Sequence, residues 1–131
     1  MREIKFRIFD KQEEEFLNEE DYAINFVGTI FKACLDEEVF EVLDADMYIV
    51  TQYTGLKDKN LKEIYEGDII KYDFNNLNYR IEFINAEFIA RRFYENIEDL
   101  YPTEFDFGKE CEVLGNIYEN PELLNDKLKA E

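Results

Sequence analysis

Two carboxylates that flank a glycine form the pair most suggestive of chemistry in this sequence. Glu66 and Asp68 stand on either side of Gly67. Two carboxyl groups can act together as acid and base when a shaped pocket holds them. The same residues also bind local backbone groups where a chain turns into a strand. Because carboxylates are abundant here, the structural role or plain solvent exposure is the simpler interpretation, and a carboxylate-based hydrolase is the lesser alternative.

Metal binding finds little support in the residue pattern. The acidic run Glu13–Glu15 lacks the spaced oxygen ligands and the central glycine of a calcium-binding EF-hand loop. Cys34 and Cys111 are far apart and form no CxxC motif, so a zinc site would need cysteines and carboxylates alone. The sequence therefore predicts no metal and no cofactor, with both thiols reduced and buried as small apolar groups.

Histidine is absent from all 131 residues, which removes the usual general base near neutral pH and the commonest metal ligand. Neither a Ser/His/Asp set nor a Cys/His set can exist without it. The phosphate-binding patterns GxxxxGK[ST] and GxGxxG are also missing. We predict no catalytic residues and a protein that is not an enzyme.

One basic cluster stands out in an otherwise acidic chain. Lys57, Lys59 and Lys62 lie near Tyr53 and Tyr65, and basic residues beside aromatic rings can bind single-stranded nucleic acid. The whole chain, however, has 15 basic and 32 acidic residues, a formal charge of -17. The lysines are therefore interpreted as solubilising residues at a sheet edge.

The charge balance restricts the possible partners. A strongly acidic chain repels nucleic-acid phosphates and anionic membranes, whereas a basic protein remains an allowed partner. An acidic mimic of nucleic acid that occupies a host DNA- or RNA-binding protein is a second possibility. Acid is denser in residues 1–50, which contain 14 acidic and 5 basic residues. The sequence shows neither a signal peptide nor an apolar run of roughly 18 residues, so we expect a cytoplasmic protein without a transmembrane helix.

Alternating apolar residues and frequent turns predict short strands with little helix. Residues 24–31 are interpreted as one β-rich run with a bulge or turn at Gly28. Gly55 and the segment Lys57–Asn60 are interpreted as a turn between strands. A single helical turn is expected near residues 97–101, ended by Pro102.

The predicted fold class is mainly β: a small barrel with an appended region and short helices. We place an N-terminal β-rich (α+β) region at residues 1–50. The barrel region follows at residues 51–131 and ends in a short helix. That helix would begin near Asn120, with Pro121 at its first position.

Three segments match a known family in order and spacing. They are REIKFR at 2–7, QYTGLKDKN at 52–60 continuing to EIYEGDI at 63–69, and EVLGNIYENPEL at 112–123. Together they resemble the YopX family of bacteriophage and prophage proteins. Two positions depart from the family pattern: Leu61 replaces a usual glycine, and the Ile8–Phe9 pair replaces a usual tryptophan.

The resemblance implies an N-terminal β-rich region, an SH3-like barrel in the C-terminal part, a phage or prophage origin and self-association. It implies no activity and no catalytic residues. We expect a non-enzymatic protein-binding or assembly module with a host or phage protein as partner. Eight residues are predicted for an interaction surface: Tyr53, Lys57, Asp58, Tyr65, Glu66, Asp68, Asn116 and Tyr118.

Overall fold

The chain divides into two compact units. In a computed structural model, which describes residues 3–34, 39–94, 97–102 and 110–124, one unit is Phe6–Val50. The other combines Met1–Lys5 with Thr51–Glu131. The domain boundary between residues 50 and 51, which we drew from the sequence, stays a prediction.

Antiparallel β-strands make up most of the regular structure, which confirms the mainly β prediction. The helical part of the described residues consists of short 3-10 turns such as Ala45–Met47 and Pro121–Leu124. The SH3-like detail stays a prediction. The strands are β1 (Phe6–Asp10), β2 (Glu15–Phe16), β3 (Tyr22–Ile24), β4 (Ile30–Cys34), β5 (Val39–Val42), β6 (Tyr48–Lys57), β7 (Glu63–Tyr65), β8 (Asp68–Tyr72), β9 (Asn78–Ile84), β10 (Glu87–Tyr94), β11 (Ile97–Pro102) and β12 (Cys111–Asn116).

The strands of the described residues form three sheets, with strand orders β2-β1-β6-β7, β11-β10-β9-β8-β12 and β3-β4-β5. In the five-stranded sheet, the β9–β10 hairpin closes through Asn85 and Ala86, whose φ angles are 52° and 66°. Two consecutive positive φ angles are what a two-residue hairpin loop of matching twist requires. The β8–β9 turn uses Asn75, whose side chain accepts from the Leu77 N–H at 3.0 Å. Both turns were predicted at these asparagines and are confirmed.

Large apolar side chains fill the core of the unit that contains Thr51 onward. Cys111 lies among them fully buried, as predicted, and burial raises the pKa of its thiol to about 12. The prediction for the Cys34 side chain lies outside the described part of the molecule. The ring of Tyr79 meets that of Tyr72 edge-on at 5.1 Å, a favourable arrangement for aromatic pairs. The core cluster consists of Ile64, Ile70, Tyr72, Tyr79, Ile81, Phe88, Ala90 and Cys111.

The Phe6–Val50 unit has a smaller set of buried residues. Phe9 is buried on β1, and its ring meets that of Phe16 on β2 at 5.1 Å. The guanidinium of Arg7 lies 4.3 Å from the centre of the Phe16 ring, within the range of a cation–π contact. Ile30 on β4 is also buried. Few, large side chains therefore provide the buried surface of this unit.

A turn divides the β-rich run at residues 24–31, which is one of the two alternatives predicted at Gly28. β3 ends at Ile24, a turn follows, and β4 begins at Ile30. Asn25 and Gly28 close this turn, and Gly28 has a φ of 89°. The apolar composition favoured a strand, but the asparagine and glycine satisfy the backbone of a hairpin turn.

The predicted helical turn at residues 97–101 was wrong, because this segment forms β11 and pairs with β10. Ile97 lies opposite Tyr94, and Tyr101 lies opposite Ala90. A one-turn apolar spacing is too short to outweigh ladder hydrogen bonds from a neighbouring strand. Pro102 ends the strand at the sheet edge, where a missing N–H can be tolerated.

Gly55 lies inside β6 rather than in the predicted turn. The ladder between β6 and β7 shifts register between Tyr53 and Lys57, and Gly55 has a φ of 89° at this irregularity. Glycine is the residue that such a bulge favours. The turn between the strands begins at Asp58 instead.

Leu61, where the family resemblance implies a glycine, adopts a left-handed backbone. Its φ is 67°, and its N–H donates to the Asp58 carbonyl at 2.9 Å. The side chain is 78% exposed, so packing does not compensate for the strain. The turn thus keeps the conformation that suits glycine although leucine occupies it.

Leu61→Gly should raise the free energy of unfolding by about 0.5–1 kcal/mol, because relief of left-handed strain exceeds the added entropy of the unfolded chain. Urea denaturation measures this change. Leu61→Ala is the matched control, since it removes the exposed side chain but keeps the strain. If the glycine variant were no more stable than the alanine variant, strain at residue 61 would not limit stability.

Candidate functional site

Asp58 is a buried carboxylate held by three backbone N–H groups. Its Oδ1 atom accepts from Asn60 at 2.8 Å and from Lys62 at 2.9 Å, which closes the β6–β7 turn. Its Oδ2 atom accepts from Val113 on β12 at 2.8 Å. The side chain is 3% exposed, so these donors replace nearly all of its water. Asp58 therefore joins the turn to the edge of the five-stranded sheet.

Two opposing effects act on the ionisation of Asp58. Burial alone would raise the pKa of this carboxyl, but hydrogen bonds from the Val113, Lys62 and Asn60 amides outweigh burial and lower the pKa below its ordinary value. The carboxylate is therefore the form that the folded protein stabilises. This stabilisation is present above the ordinary pKa of 3.8 and is lost as pH falls through the lower folded value.

The Glu66–Gly67–Asp68 turn connects β7 to β8, and its two carboxylates serve different backbone groups. Asp68 is buried and accepts from the Tyr65 N–H at 2.8 Å through Oδ2. Glu66 is half-buried, and its Oε1 accepts from the Gln52 N–H at 3.4 Å. Each carboxylate thus binds a neighbouring strand, as expected for the structural interpretation of this pair.

Burial raises the pKa of Glu66 above its usual value; the hydrogen bond from Gln52 opposes this, and the nearby charge of Glu82 adds to it. The ionised form of Glu66 is therefore less favourable in the folded protein than in the unfolded chain. Glu82 is held by arginines on β9 and β10, Arg80 and Arg91. Glu66 consequently costs some stability wherever it is charged.

Asn116 organises the turn that follows β12. Its Oδ1 accepts from the N–H groups of Tyr118 at 3.0 Å and Glu119 at 2.8 Å, and its Nδ2 donates to the Glu119 carboxylate at 2.8 Å. This turn places the Tyr118 ring against Gly67, where a Cβ atom would come within 2.8 Å of Cε2. Gly67 also has a φ of 90°. Position 67 therefore favours glycine for two reasons: the positive φ angle, and the lack of space for a Cβ atom beside the Tyr118 ring.

Tyr53 and Tyr65 form an aromatic pair beside a short ion pair. Their ring centres are 5.4 Å apart, and both side chains are buried. Lys5 lies 5.7 Å from the centre of the Tyr53 ring and donates to the Glu63 carboxylate at 2.6 Å. This hydrogen bond raises the pKa of Lys5 to about 12 and lowers that of Glu63. Charge and aromatic contacts at this point fix the chain around residues 5, 53 and 63.

The three lysines of the basic cluster are exposed and do not share one contact. Lys57 lies opposite Glu63 in the β6–β7 ladder. Lys59 forms an ion pair with Asp73 at 2.8 Å, while the backbone N–H of Lys62 binds Asp58. Exposed lysines with one surface ion pair, that of Lys59, are consistent with a solubilising role.

The eight predicted interaction residues fall into two groups. Lys57 and Asp58 belong to the β6–β7 turn, which Asp58 fastens to β12. The remaining residues surround β7 and the turns after it, where Asp68 lies opposite Asn116 in the β8–β12 ladder. Four of the eight side chains accept hydrogen bonds from backbone N–H groups, namely Asp58, Glu66, Asp68 and Asn116. The role of all eight toward a partner stays a prediction. The second group consists of Tyr53, Tyr65, Glu66, Asp68, Asn116 and Tyr118.

A different segment, which sequence reasoning did not nominate, projects apolar side chains into solvent. The turn between β3 and β4 carries Phe26, which is fully exposed at 110%, and Val27 at 85%. The pair lies between Asn25 and Gly28, and this Asn-x-x-Gly spacing is a turn signal that could have identified the segment. The surrounding apolar residues concealed the signal.

The described residues contain no group of three or more Cys, Asp or Glu side chains placed to hold a metal ion. Among these same residues, no helix is both long and apolar enough to cross a membrane. The structure thus defines a small, mainly β protein whose turns are fastened by buried side-chain oxygens.

The chain belongs to the YopX family, since the YopX protein family matches residues 5–125. Two solved structures resemble it, each covering 95% of this chain and 99% of its own length. The YopX protein of Bacillus subtilis is 21% identical with a TM-score of 0.60, which shows a shared fold. Protein EF1440 of Enterococcus faecalis is 25% identical with a TM-score of 0.47. No curated protein matches the sequence.

Asp58→Asn should lower the free energy of unfolding by about 2–4 kcal/mol. The side-chain NH2 group of asparagine would face a backbone N–H, which would then lack its charged acceptor. Denaturant titration at neutral pH measures the loss. Asp46→Asn, at an exposed residue, is the control and should be nearly neutral. Equal effects of the two substitutions would contradict the role assigned to Asp58.

Glu66→Gln should stabilise the protein at neutral pH, because it removes a disfavoured charge and keeps an oxygen that can accept from Gln52. The gain should be below about 1 kcal/mol, since the side chain is only half-buried. It should disappear as pH falls below the ordinary pKa of 4.5, where the native carboxyl is protonated in both states. Unfolding curves across this range, with Glu87→Gln as an exposed control, test the sign.

Proposed function

We propose that this YopX-family chain is a non-enzymatic module that binds or assembles with another protein in the cytoplasm of a bacterial cell that carries a phage or prophage. The observation that carries the proposal is a contrast between two sets of side chains. The polar groups best suited to chemistry bind backbone amides, whereas large apolar groups lie open to solvent.

The directions of the carboxylates support a structural use of acid. Glu66 and Asp68 have oxygens that accept from Gln52 and Tyr65, on β6 and β7 respectively. Asp58 is occupied by three amides. An acid–base pair would need its oxygens directed toward a substrate rather than toward backbone donors. A binding role makes no such demand.

Exposed apolar residues supply the material for an interface. Protein interfaces are enriched in aromatic side chains at their buried centres. Exposed large apolar side chains occur in both units, and the greatest exposure is at Phe26 and Val27. The set also includes Ile4, Phe6, Val42, Met47, Phe74 and Phe83.

Net charge favours a basic partner. The unit Phe6–Val50 has 13 acidic and 3 basic residues, so it holds a majority of the excess acid of the chain. Complementary charge accelerates encounter and rejects acidic competitors. A basic host or phage protein is the partner chemistry that this distribution supports.

Affinity capture tests the proposal. The tagged chain, incubated with extracts of phage-infected or lysogenic bacteria, should repeatedly retain the same protein at stoichiometric levels. Light scattering on the purified chain should report a homo-oligomer, the self-association that the family resemblance implies. A monomer that retains no protein in repeated captures would contradict the module proposal.

An acidic mimic of nucleic acid is the second candidate, and the charge of -17 favours it. A mimic must displace DNA or RNA from a captured basic protein, because both ligands would use one surface. A labelled duplex or single strand bound to that protein should be released as the chain is added. Simultaneous binding of the chain and nucleic acid would contradict mimicry while leaving the binding-module proposal intact.

A further inference from the structure

We propose that the turn Asn25–Gly28 is a docking element whose Phe26 and Val27 side chains insert into an apolar pocket, rimmed by Lys or Arg, on a partner protein. This inference rests on the proposed binding function and names the element and the partner chemistry. Three observations carry it: exposure, a fixed backbone and surrounding acid.

The high exposure of Phe26 and Val27 indicates that the fold does not depend on these two side chains. Phe26 is 110% exposed and Val27 is 85% exposed, so neither side chain contributes buried area to the chain. Turn positions ordinarily hold small or polar residues, and nothing in the backbone of this turn requires phenylalanine or valine. A fully exposed phenylalanine next to a valine forms a compact apolar projection of the kind that interfaces bury.

The backbone that presents this projection is held by four hydrogen bonds centred on Asn25. Its N–H donates to the Thr29 carbonyl at 3.1 Å, and its own carbonyl accepts from the Gly28 N–H at 3.1 Å. Its Oδ1 accepts from the N–H groups of Val27 at 3.1 Å and Thr29 at 2.9 Å. The turn is therefore organised before binding, which reduces the conformational entropy lost on docking.

Acidic residues next to the hairpin define the rim of the partner's pocket. Glu19, Glu20 and Asp21 immediately precede β3. β3 spans three residues, and at roughly 3.3 Å per strand residue the acidic segment is about 10–15 Å from the turn. That separation exceeds the Debye length of about 8 Å at physiological salt, so the attraction to basic groups around an occupied pocket is weakened there and grows as ionic strength is lowered. A second copy of the chain would bring acid rather than base to this turn, so charge does not favour a second copy as the occupant of this particular element.

Site-specific photocrosslinking tests this assignment in the full chain. A benzophenone-bearing phenylalanine analogue is placed at position 26 or, as a control, at the exposed residue 61 of the other unit. Irradiation in the extracts used for affinity capture should give an adduct from position 26 with the captured protein and none from position 61. Mass spectrometry should locate the adduct in an apolar pocket bordered by Lys or Arg, and added salt should lower its yield.

Substitutions supply an independent measurement on the captured protein. Phe26→Ser should weaken its binding at least tenfold while the unfolding curve stays unchanged, because the ring is fully exposed in the free chain. Leu61→Asn removes a comparably exposed apolar side chain, suits a left-handed backbone, and should leave binding unchanged.

The outcomes separate this inference from the function on which it rests. If the native chain captures a protein and Phe26→Ser binds it equally well, the docking assignment is wrong and the module proposal stands. An adduct from position 26 to a second copy, to lipid or to nucleic acid would also overturn the assignment. Failure of the native chain to capture any protein would overturn both.

Discussion

The buried carboxylate of Asp58 connects the β6–β7 turn to the distant strand β12 within the larger unit. Asp58 satisfies two amides within its own turn and one on β12, a strand more than fifty residues later in the chain. An unpaired charge that is buried this far would destabilise the fold strongly. Because three N–H groups offset this desolvation, their positions relative to the carboxylate are constrained. The hydrogen bonds of Asp58 therefore hold the β6–β7 turn against the β8–β12 edge in the native structure. The carbonyl of Cys111, which accepts from the Lys59 amide at 3.0 Å, reinforces the same junction.

The other polar side chains of this unit follow the same rule at smaller scale. Asp68 fixes the amide at the end of β7, Asn116 fixes the turn after β12, and Tyr118 covers the glycine between them. Side-chain oxygens thus do in the turns what ladder hydrogen bonds do in the strands. Although acidic residues are abundant and carboxylates can act in catalysis, the buried carboxylates of Asp58 and Asp68 accept hydrogen bonds from backbone N–H groups. The other acidic side chains among the described residues are partly or fully exposed, as are the apolar groups that we assign to binding.

Sequence reasoning located most strands because alternation and turn residues are local signals. The turns at Asn75 and Asn85 were predicted from residue type alone. The short helix predicted from Asn120 onward is a 3-10 turn at Pro121–Leu124. The segment Ile97–Pro102 was mispredicted because its strand depends on pairing with β10, a contact that no short window contains. Gly55 was misplaced for a related reason, since a glycine at a bulge and a glycine in a turn look alike in sequence.

The candidate site was predictable in its residues but not in their roles. Asp58, Asp68 and Asn116 were nominated from a family-like segment, and the structure brings Asp68 and Asn116 together across one ladder. That Asp58 reaches β12 could not be inferred, because the partner amide belongs to Val113, far along the chain. Phe26 and Val27 were overlooked for the opposite reason: apolar residues in an apolar run predict burial, and only the geometry of the turn shows that they are exposed.

The Tyr53 amide donates to the Lys5 carbonyl at 2.8 Å, so the chain leaves the larger unit and re-enters it through neighbouring residues. Residues 6–50 therefore form an insertion whose two ends lie close together, because backbone hydrogen bonding connects the residues on either side of it. Such a segment can change in length or sequence during evolution without altering the path of the chain on either side. If family members have acquired different partners, sequence changes should accumulate in residues 6–50, while the turn at Asp58 stays the same.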